Sequence, residues 1–263
     1  MASDSKGKTK GGFAELVKTI VYALLLAGVI RTLFFQPFWI PSGSMKPTLL
    51  IGDFLFVNKM AYGYSRHSCP FSICPFTGRI LASEPDRGDV VVFKHPGNGT
   101  DYIKRLVGLP GDTVQMIDGI LHINGEAVPQ VPDGEFHQVF APQGPMRSMP
   151  RCANRPVRQG EDCVKDQATE TLPEGRDYHV LNIDDGFGDN TQPVLVPEGE
   201  FFFMGDNRAN SMDSRFPRSA GGVGTVPFEN LVGRADRVVF SSAGSSMLAF
   251  WTWRPDRFFV RVD

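Results

Sequence analysis

Three short segments of the chain carry residue types suited to acyl transfer. The first is IPSGSMKPTL, Ile40–Leu49, in which Ser42 and Ser44 flank a glycine and Pro41 and Pro47 stiffen the chain on either side. Gly43 permits a tight backbone path beside a bound peptide. Such a segment can hold a hydroxyl out of regular structure, although an SGS tripeptide by itself is more often an ordinary turn. The second is DYIKRLVGLPGD, Asp101–Asp112, with Lys104 among apolar neighbours. Strand alternation puts Lys104 on one face with Tyr102 and Leu106, and Arg105 on the other with Ile103. A strand lysine is ordinarily solvated; a buried one loses its proton near neutrality rather than near the usual pH of about 10.4, and can then take a proton from a serine. The third is GDNRANSMDSR, Gly205–Arg215, which places Asp206, Ser211, Asp213 and Arg215 in a polar loop directly after the apolar run FFFM. Polar side chains at that strand end need partners.

None of the five histidines, His67, His95, His122, His137 and His179, shares a motif with these segments. A serine paired with a lysine is the alternative to a histidine triad that recurs on unrelated folds. Ser44 as nucleophile and Lys104 as general base are therefore the candidate pair, sixty positions apart.

The elements that must position them are mostly β. FLFV (54–57), DVVVF (89–93), YIKRLV (102–107), TVQMI (113–117), ILHI (120–123) and FFFM (201–204) read as strands bounded by turn residues. Asp118-Gly119 predicts a tight hairpin turn. With 28 glycines and 20 prolines, and no long helical period after residue 35, the body is expected to be turn-rich and β. Residues 36–124 and 201–243 form the expected catalytic core. Residues 125–200, rich in Pro, Gly and polar side chains, read as an inserted, loop-rich β subdomain. Residues 244–263 mix Trp and Phe with Arg254, Arg257 and Arg261, an amphipathic tail that either packs on the body or meets a membrane surface.

Topology is read from the N-terminus. Residues 1–12 are polar, with Lys6, Lys8 and Lys10, and residues 13–35 are apolar apart from Glu15, Lys18 and Arg31. That window approaches the roughly 20 residues needed to span a bilayer, and Lys18 and Arg31 can snorkel at its ends. No small-x-small cleavage site follows; the chain continues into the aromatic FFQPFWIP. A single retained anchor is expected, with the lysine-bearing end cytoplasmic and the rest outside. Cys69 and Cys74, and Cys152 and Cys163, lack the two-residue spacing of most zinc sites; two local disulfides in an oxidising compartment are the favoured reading, with connectivity left open. A net charge of −2 offers no basic excess for nucleic acid.

The blocks PSGSMKPTL, RGDVVVF, DYIKRLVGLPGD, GDNRANSMDSR and VPFENLVGRA, in this order behind an anchor, resemble bacterial type I signal peptidases. The resemblance covers about half the chain and leaves out the inserted region and the tail. It implies a signal-peptidase-like coiled β-sheet ectodomain on one transmembrane helix, in the bacterial inner membrane with its catalytic side periplasmic. It implies removal of signal peptides from exported preproteins after small residues, with no cofactor or metal. Ser44 matches the nucleophile and Lys104 the base; Ser42 and the Ser44 N–H match the oxyanion hole, and Ser211 the serine that orients the lysine. Arg105, Asp206, Asp213 and Arg215 match supporting charges. Ile40, Pro41, Met45, Leu49, Tyr102 and Ile103 match positions lining the pockets for small side chains, and Phe38, Leu55 and Val92 the neighbouring pocket. The chain departs from the pattern at Ala209, where an acidic residue is common, in the longer loop 216–226, and in its single visible span. A dedicated maturation peptidase of the same superfamily, or a non-catalytic membrane-tethered binding module, are the alternatives.

Overall fold

The computed structural model describes residues 10–262 except 70, 71, 73, 145 and 245. Lys6 and Lys8, on which the cytoplasmic reading of the N-terminus partly rests, lie outside the described residues. Helix α1 spans Lys10–Leu33, and its apolar side chains are exposed all round. Twenty-four residues at about 1.5 Å each are long enough to cross a bilayer core of roughly 30 Å. Within it, Gly12–Leu33 is long and apolar enough for a span. The helix ends against the body: the Leu33 carbonyl accepts from Tyr64 Oη at 2.7 Å, and the Phe34 carbonyl from the Lys59 N–H at 3.0 Å.

Among the described residues fifteen strands follow: β1 Phe35–Trp39, β2 Asp53–Asn58, β3 Val90–Lys94, β4 Asp101–Gly108, β5 Thr113–Ile117, β6 Ile120–Ile123, β7 Glu126–Ala127, β8 Gln130–Val139, β9 Asp162–Thr171, β10 Asp177–Asn182, β11 Val194–Leu195, β12 Glu200–Met204, β13 Val226–Pro227, β14 Leu231–Ser241 and β15 Val260–Arg261. The main sheet runs β1-β2-β14-β3-β4-β12-β13, and β15 adds to β14. All six predicted strands are present, and both residues of the Asp118-Gly119 turn have positive φ (47° and 77°), as a primed hairpin turn requires. The long β14 pairs β2 along residues 234–241 and β3 along 231–234, with register shifts that bend and curl the sheet. FFQPFW is not only an aromatic segment next to the helix: five of its residues form edge strand β1, where Pro37 is tolerated.

The alternation read for β4 divides two cores. Tyr102 and Leu106 join Phe93, Phe203, Val226 and Leu231 on one face. On the other, Ile103 packs with Ile40, Met45, Leu49 and Leu55, while Val107 joins Val114, Leu121 and Phe202. Each such burial contributes about 1.5–3 kcal/mol, so the register of β4 is strongly held.

The region 125–200 is more regular than its composition suggests. β10-β9-β8 form a three-stranded antiparallel sheet containing two ten-residue strands, and β11 pairs β5. β8 is largely exposed and bulged between Pro132 and Glu135, so it shows no apolar alternation. Disulfides join Cys69 to Cys74 and Cys152 to Cys163, with Cα separations of 5.4 and 5.2 Å. The tail packs on the body through β15, a Trp253–Phe240 stack and an Arg257–Asp53 ion pair of 2.5 Å, yet leaves Leu248, Phe250 and Trp251 exposed.

Candidate active site

Ser44 sits in the turn between β1 and β2. Bonds from the Ile40 N–H to the Asp53 carbonyl and from the Gly52 N–H to the Ile40 carbonyl close the base of this loop, and the buried side chains of Met45 and Leu49 anchor its interior. The loop after β12 clamps it from above. The Asn207 side-chain amide donates to the Gly43 carbonyl at 2.8 Å, and the Asn207 N–H donates to the Ser44 carbonyl at 3.1 Å. Gly205 is needed here for space: a Cβ would overlap the Ser211 hydroxyl and stand 2.6 Å from the Ser44 carbonyl oxygen.

Lys104 Nζ lies 2.6 Å from Ser44 Oγ. Ser44 is 7% exposed and Lys104 4%. The other hydrogen bond of Lys104 Nζ goes to the Ile103 carbonyl at 2.9 Å, and the Tyr102 ring lies 5.5 Å from it. Burial lowers the Lys104 pKa to about 8, against the pull of Asp213 and Asp206 and with help from Arg215. A lysine of this kind carries a substantial neutral fraction near pH 8, when the 2.6 Å contact becomes Ser44 O–H donating to the Nζ lone pair. The Ser42 hydroxyl is 3.4 Å from Ser44 Oγ.

The supporting charges form two buried, two-pronged ion pairs. Arg105 donates through Nε and Nη2 to Asp206 at 2.9 and 2.8 Å, and Thr48 Oγ1 donates to the same carboxylate at 2.5 Å. Burial opposes the Arg105 charge, but Asp206 outweighs it and raises the pKa. Arg215 holds Asp213 at 2.9 and 3.0 Å. Burial alone would raise the Asp213 pKa; Arg215 and the Gly205 N–H overcome it and lower the pKa below the usual carboxylate range. The Ser211 hydroxyl is buried next to this pair, while the hydrogen bonds of Lys104 go to Ser44 and Ile103 rather than to Ser211.

The structure brings most of the expected pocket residues together. Ile40, Met45, Leu49, Leu55 and Val92 share one apolar cluster, with Phe38 and Ile103 packed against it. Pro41 instead lines an open cleft of about 260 Å³ beside Ser42 and Ser44, and Tyr102 faces the opposite core with Phe93 and His95.

Sequence reasoning missed Glu170, Tyr178 and Thr48. Arg208 donates to Glu170 at 2.6 Å and to Tyr178 Oη at 3.1 Å; Tyr178 Oη donates to Glu170, and the Tyr178 ring lies 4.2 Å from the Arg105 guanidinium. The inserted sheet thus braces the loop bearing Asp206. Only the unexplained density of charge in GDNR hinted at partners elsewhere. Among the described residues, no three His, Cys, Asp or Glu side chains converge as a metal site requires.

A family model described as "Signal peptidase, peptidase S26" matches residues 13–240. The signal peptidase I of Rickettsia canadensis (strain McKiel) is 38% identical over 253 residues, covering 92% of this chain and 85% of its own. That of Rickettsia prowazekii (strain Madrid E) is 39% identical over 235 residues, covering 85% and 79%. A crystal structure of a signal peptidase I from Enterococcus faecalis V583 is 28% identical, covers 58% of this chain and 97% of its own, and superposes with a TM-score of 0.31. With a family model matching from helix α1 to β14 and relatives this similar along most of their length, the chain belongs to the signal peptidases of family S26, a family of serine endopeptidases.

Proposed function

We propose that this chain removes signal peptides from exported preproteins through an acyl-enzyme on Ser44, with Lys104 as general base. The observation that carries the reading is the 2.6 Å contact between Ser44 Oγ and a buried lysine. Neutral Lys104 takes the Ser44 proton as Oγ attacks the scissile carbonyl carbon. The Ser44 N–H and the Ser42 hydroxyl donate to the developing oxyanion. The intermediate collapses with loss of the amine, which receives the proton from Lys104. Lys104 then deprotonates a water that attacks the ester, and passes that proton to Ser44 Oγ as the C–O bond breaks, releasing the signal peptide acid, which ionises in solvent, and restoring neutral Lys104 and Ser44. Ser211, buried beside the Asp213–Arg215 pair, would align the lysine only by moving into hydrogen-bond range in the substrate complex, and Arg105, Asp206, Asp213 and Arg215 hold the loop that carries Ser211. Shallow pockets backed by the buried apolar cluster around Ile40, Met45 and Leu49 would open on substrate binding to admit small side chains and exclude large ones. Helix α1 anchors the chain in the bacterial inner membrane lipid, N-terminus cytoplasmic and catalytic body periplasmic, where the two disulfides persist. No nucleic acid and no cofactor take part.

The test is cleavage of a preprotein bearing an Ala-x-Ala site by the full chain in detergent. Ser44→Ala and Lys104→Met should each lose roughly a thousandfold or more in kcat/KM. Unimpaired cleavage by either variant would remove the dyad.

A further inference from the structure

The cleft beside Ser44 holds two lysines that the proposed chemistry leaves unused. Lys46 comes from the nucleophile turn and is 4% exposed; Lys165 comes from β9 and is 1% exposed. Lys46 Nζ donates to Gln143 Oε1 at 2.6 Å and to Gln138 Oε1, and Lys165 Nζ donates to Asn207 Oδ1 at 3.3 Å. All three acceptors are neutral amides. Among the described residues neither lysine forms an ion pair with a carboxylate. Burial weakens the hold of Lys46 on its proton, pKa about 7, with Lys165 and Arg254 adding to it and Asp53 offsetting it; burial with Arg151 and Arg155 does the same to Lys165, pKa about 8. Two cations confined together without an anion repel one another, and a carboxylate entering the cleft relieves both.

Position gives that carboxylate an origin. The cleft shares Pro41, Ser42 and Ser44 with the nucleophile turn, but Leu49, Leu55, Val92 and Ile103 of the apolar cluster do not line it. The cleft thus adjoins Ser44 apart from the apolar cluster assigned to small side chains, and a peptide whose signal-peptide side chains meet that cluster would run its residues after the scissile bond into this cleft. We propose that Lys46 and Lys165 form a subsite for an acidic substrate side chain, an Asp or Glu within the first few residues after the scissile bond. This deepens the proposed function and rests on it.

The experiment uses the full chain in neutral detergent and synthetic Ala-x-Ala peptides carrying Glu, Gln or Lys at the second, third or fourth position after the cleavage site. At low ionic strength and pH 7, where Lys165 is mostly charged and Lys46 about half charged, the Glu peptide should exceed its Gln counterpart in kcat/KM by about tenfold at one of these positions, and the Lys peptide should fall below both. The Glu-to-Gln ratio should drop towards one in Lys46→Met and in Lys165→Met. A ratio of one at every position in the unaltered chain, or a ratio unchanged in both variants, overturns the subsite. Failure to cleave any peptide counts against the proposed function instead. Fluorescence anisotropy of the same peptides on the Ser44→Ala chain then decides the subsite: tighter binding of Glu than Gln supports it, and equal affinities overturn it.

Discussion

The arginine-braced loop after β12 and the lysine-lined floor around Ser44 are neighbours, yet they treat buried positive charge in opposite ways. In the loop and the strands below it, Arg105, Arg208 and Arg215 each meet a buried carboxylate at 2.6–2.9 Å, on Asp206, Glu170 and Asp213. Arg105 and Arg208 hold their protons more tightly than usual, because those carboxylates outweigh the cost of burial. In the floor, Lys46, Lys104 and Lys165 meet hydroxyl, carbonyl and amide oxygens instead, and burial lowers their pKa values to about 7, 8 and 8. The planar guanidinium suits a fixed two-pronged pair, while an ammonium gives up its proton when buried. Arginines here make the scaffold rigid; lysines keep the floor chemically responsive. Distance from a carboxylate, rather than burial, separates the two roles.

That contrast can be attacked at three strengths. The hardest blow is Asp206→Ala, which strands Arg105 in the interior; thermal unfolding should show a loss of about 3–5 kcal/mol, and a loss below 1 kcal/mol would mean the pair is not structural. Next is the pH dependence of cleavage. Lys104 must be neutral to act, so kcat/KM should rise nearly tenfold per pH unit below pH 8 and level off above it, following the lowered pKa of about 8. A flat profile from pH 5 to 9 would show that Lys104 is not the base. The mildest is Tyr178→Phe, which removes one donor from Glu170 while Arg208 remains; stability should fall by about 1 kcal/mol with the pH midpoint of activity unchanged.

How much of this could be seen in the residues alone differs along the chain. The β4 segment was legible because Tyr102, Leu106, Ile103 and Val107 alternate between two cores, and Lys104 and Arg105 inherit their faces from that pattern. The Ser44 turn was legible as a turn, but its proximity to Lys104 was not, since sixty residues of chain separate them and only the folded sheet closes the gap. The ordered motifs supplied that expectation through resemblance. Within the region expected to be a loop-rich β subdomain, β8 and β9 are not individually legible, because their outward faces are polar and β8 is bulged, so the period of two is masked. Glu170 and Tyr178 were invisible for the same reason: each is one polar residue whose partner lies on another strand or loop. Strand β1 was read only as an aromatic segment because Pro37 interrupts it, and an edge position is what accommodates the proline.

The junction between α1 and the body has a mechanical consequence. Phe34 alone separates the helix from β1, and Tyr64 and Lys59 tie the carbonyls of Leu33 and Phe34 to the body. Such a joint is one residue long and tied by two hydrogen bonds. The catalytic floor therefore stands at a set height and tilt relative to the helix axis, like a tool on a short rigid shank. Under the proposed function, with α1 in a membrane, a peptide bond would be within reach only when it arrives at that height, so the joint would act as a ruler, adding a geometric criterion for cleavage to the chemical one proposed for small side chains.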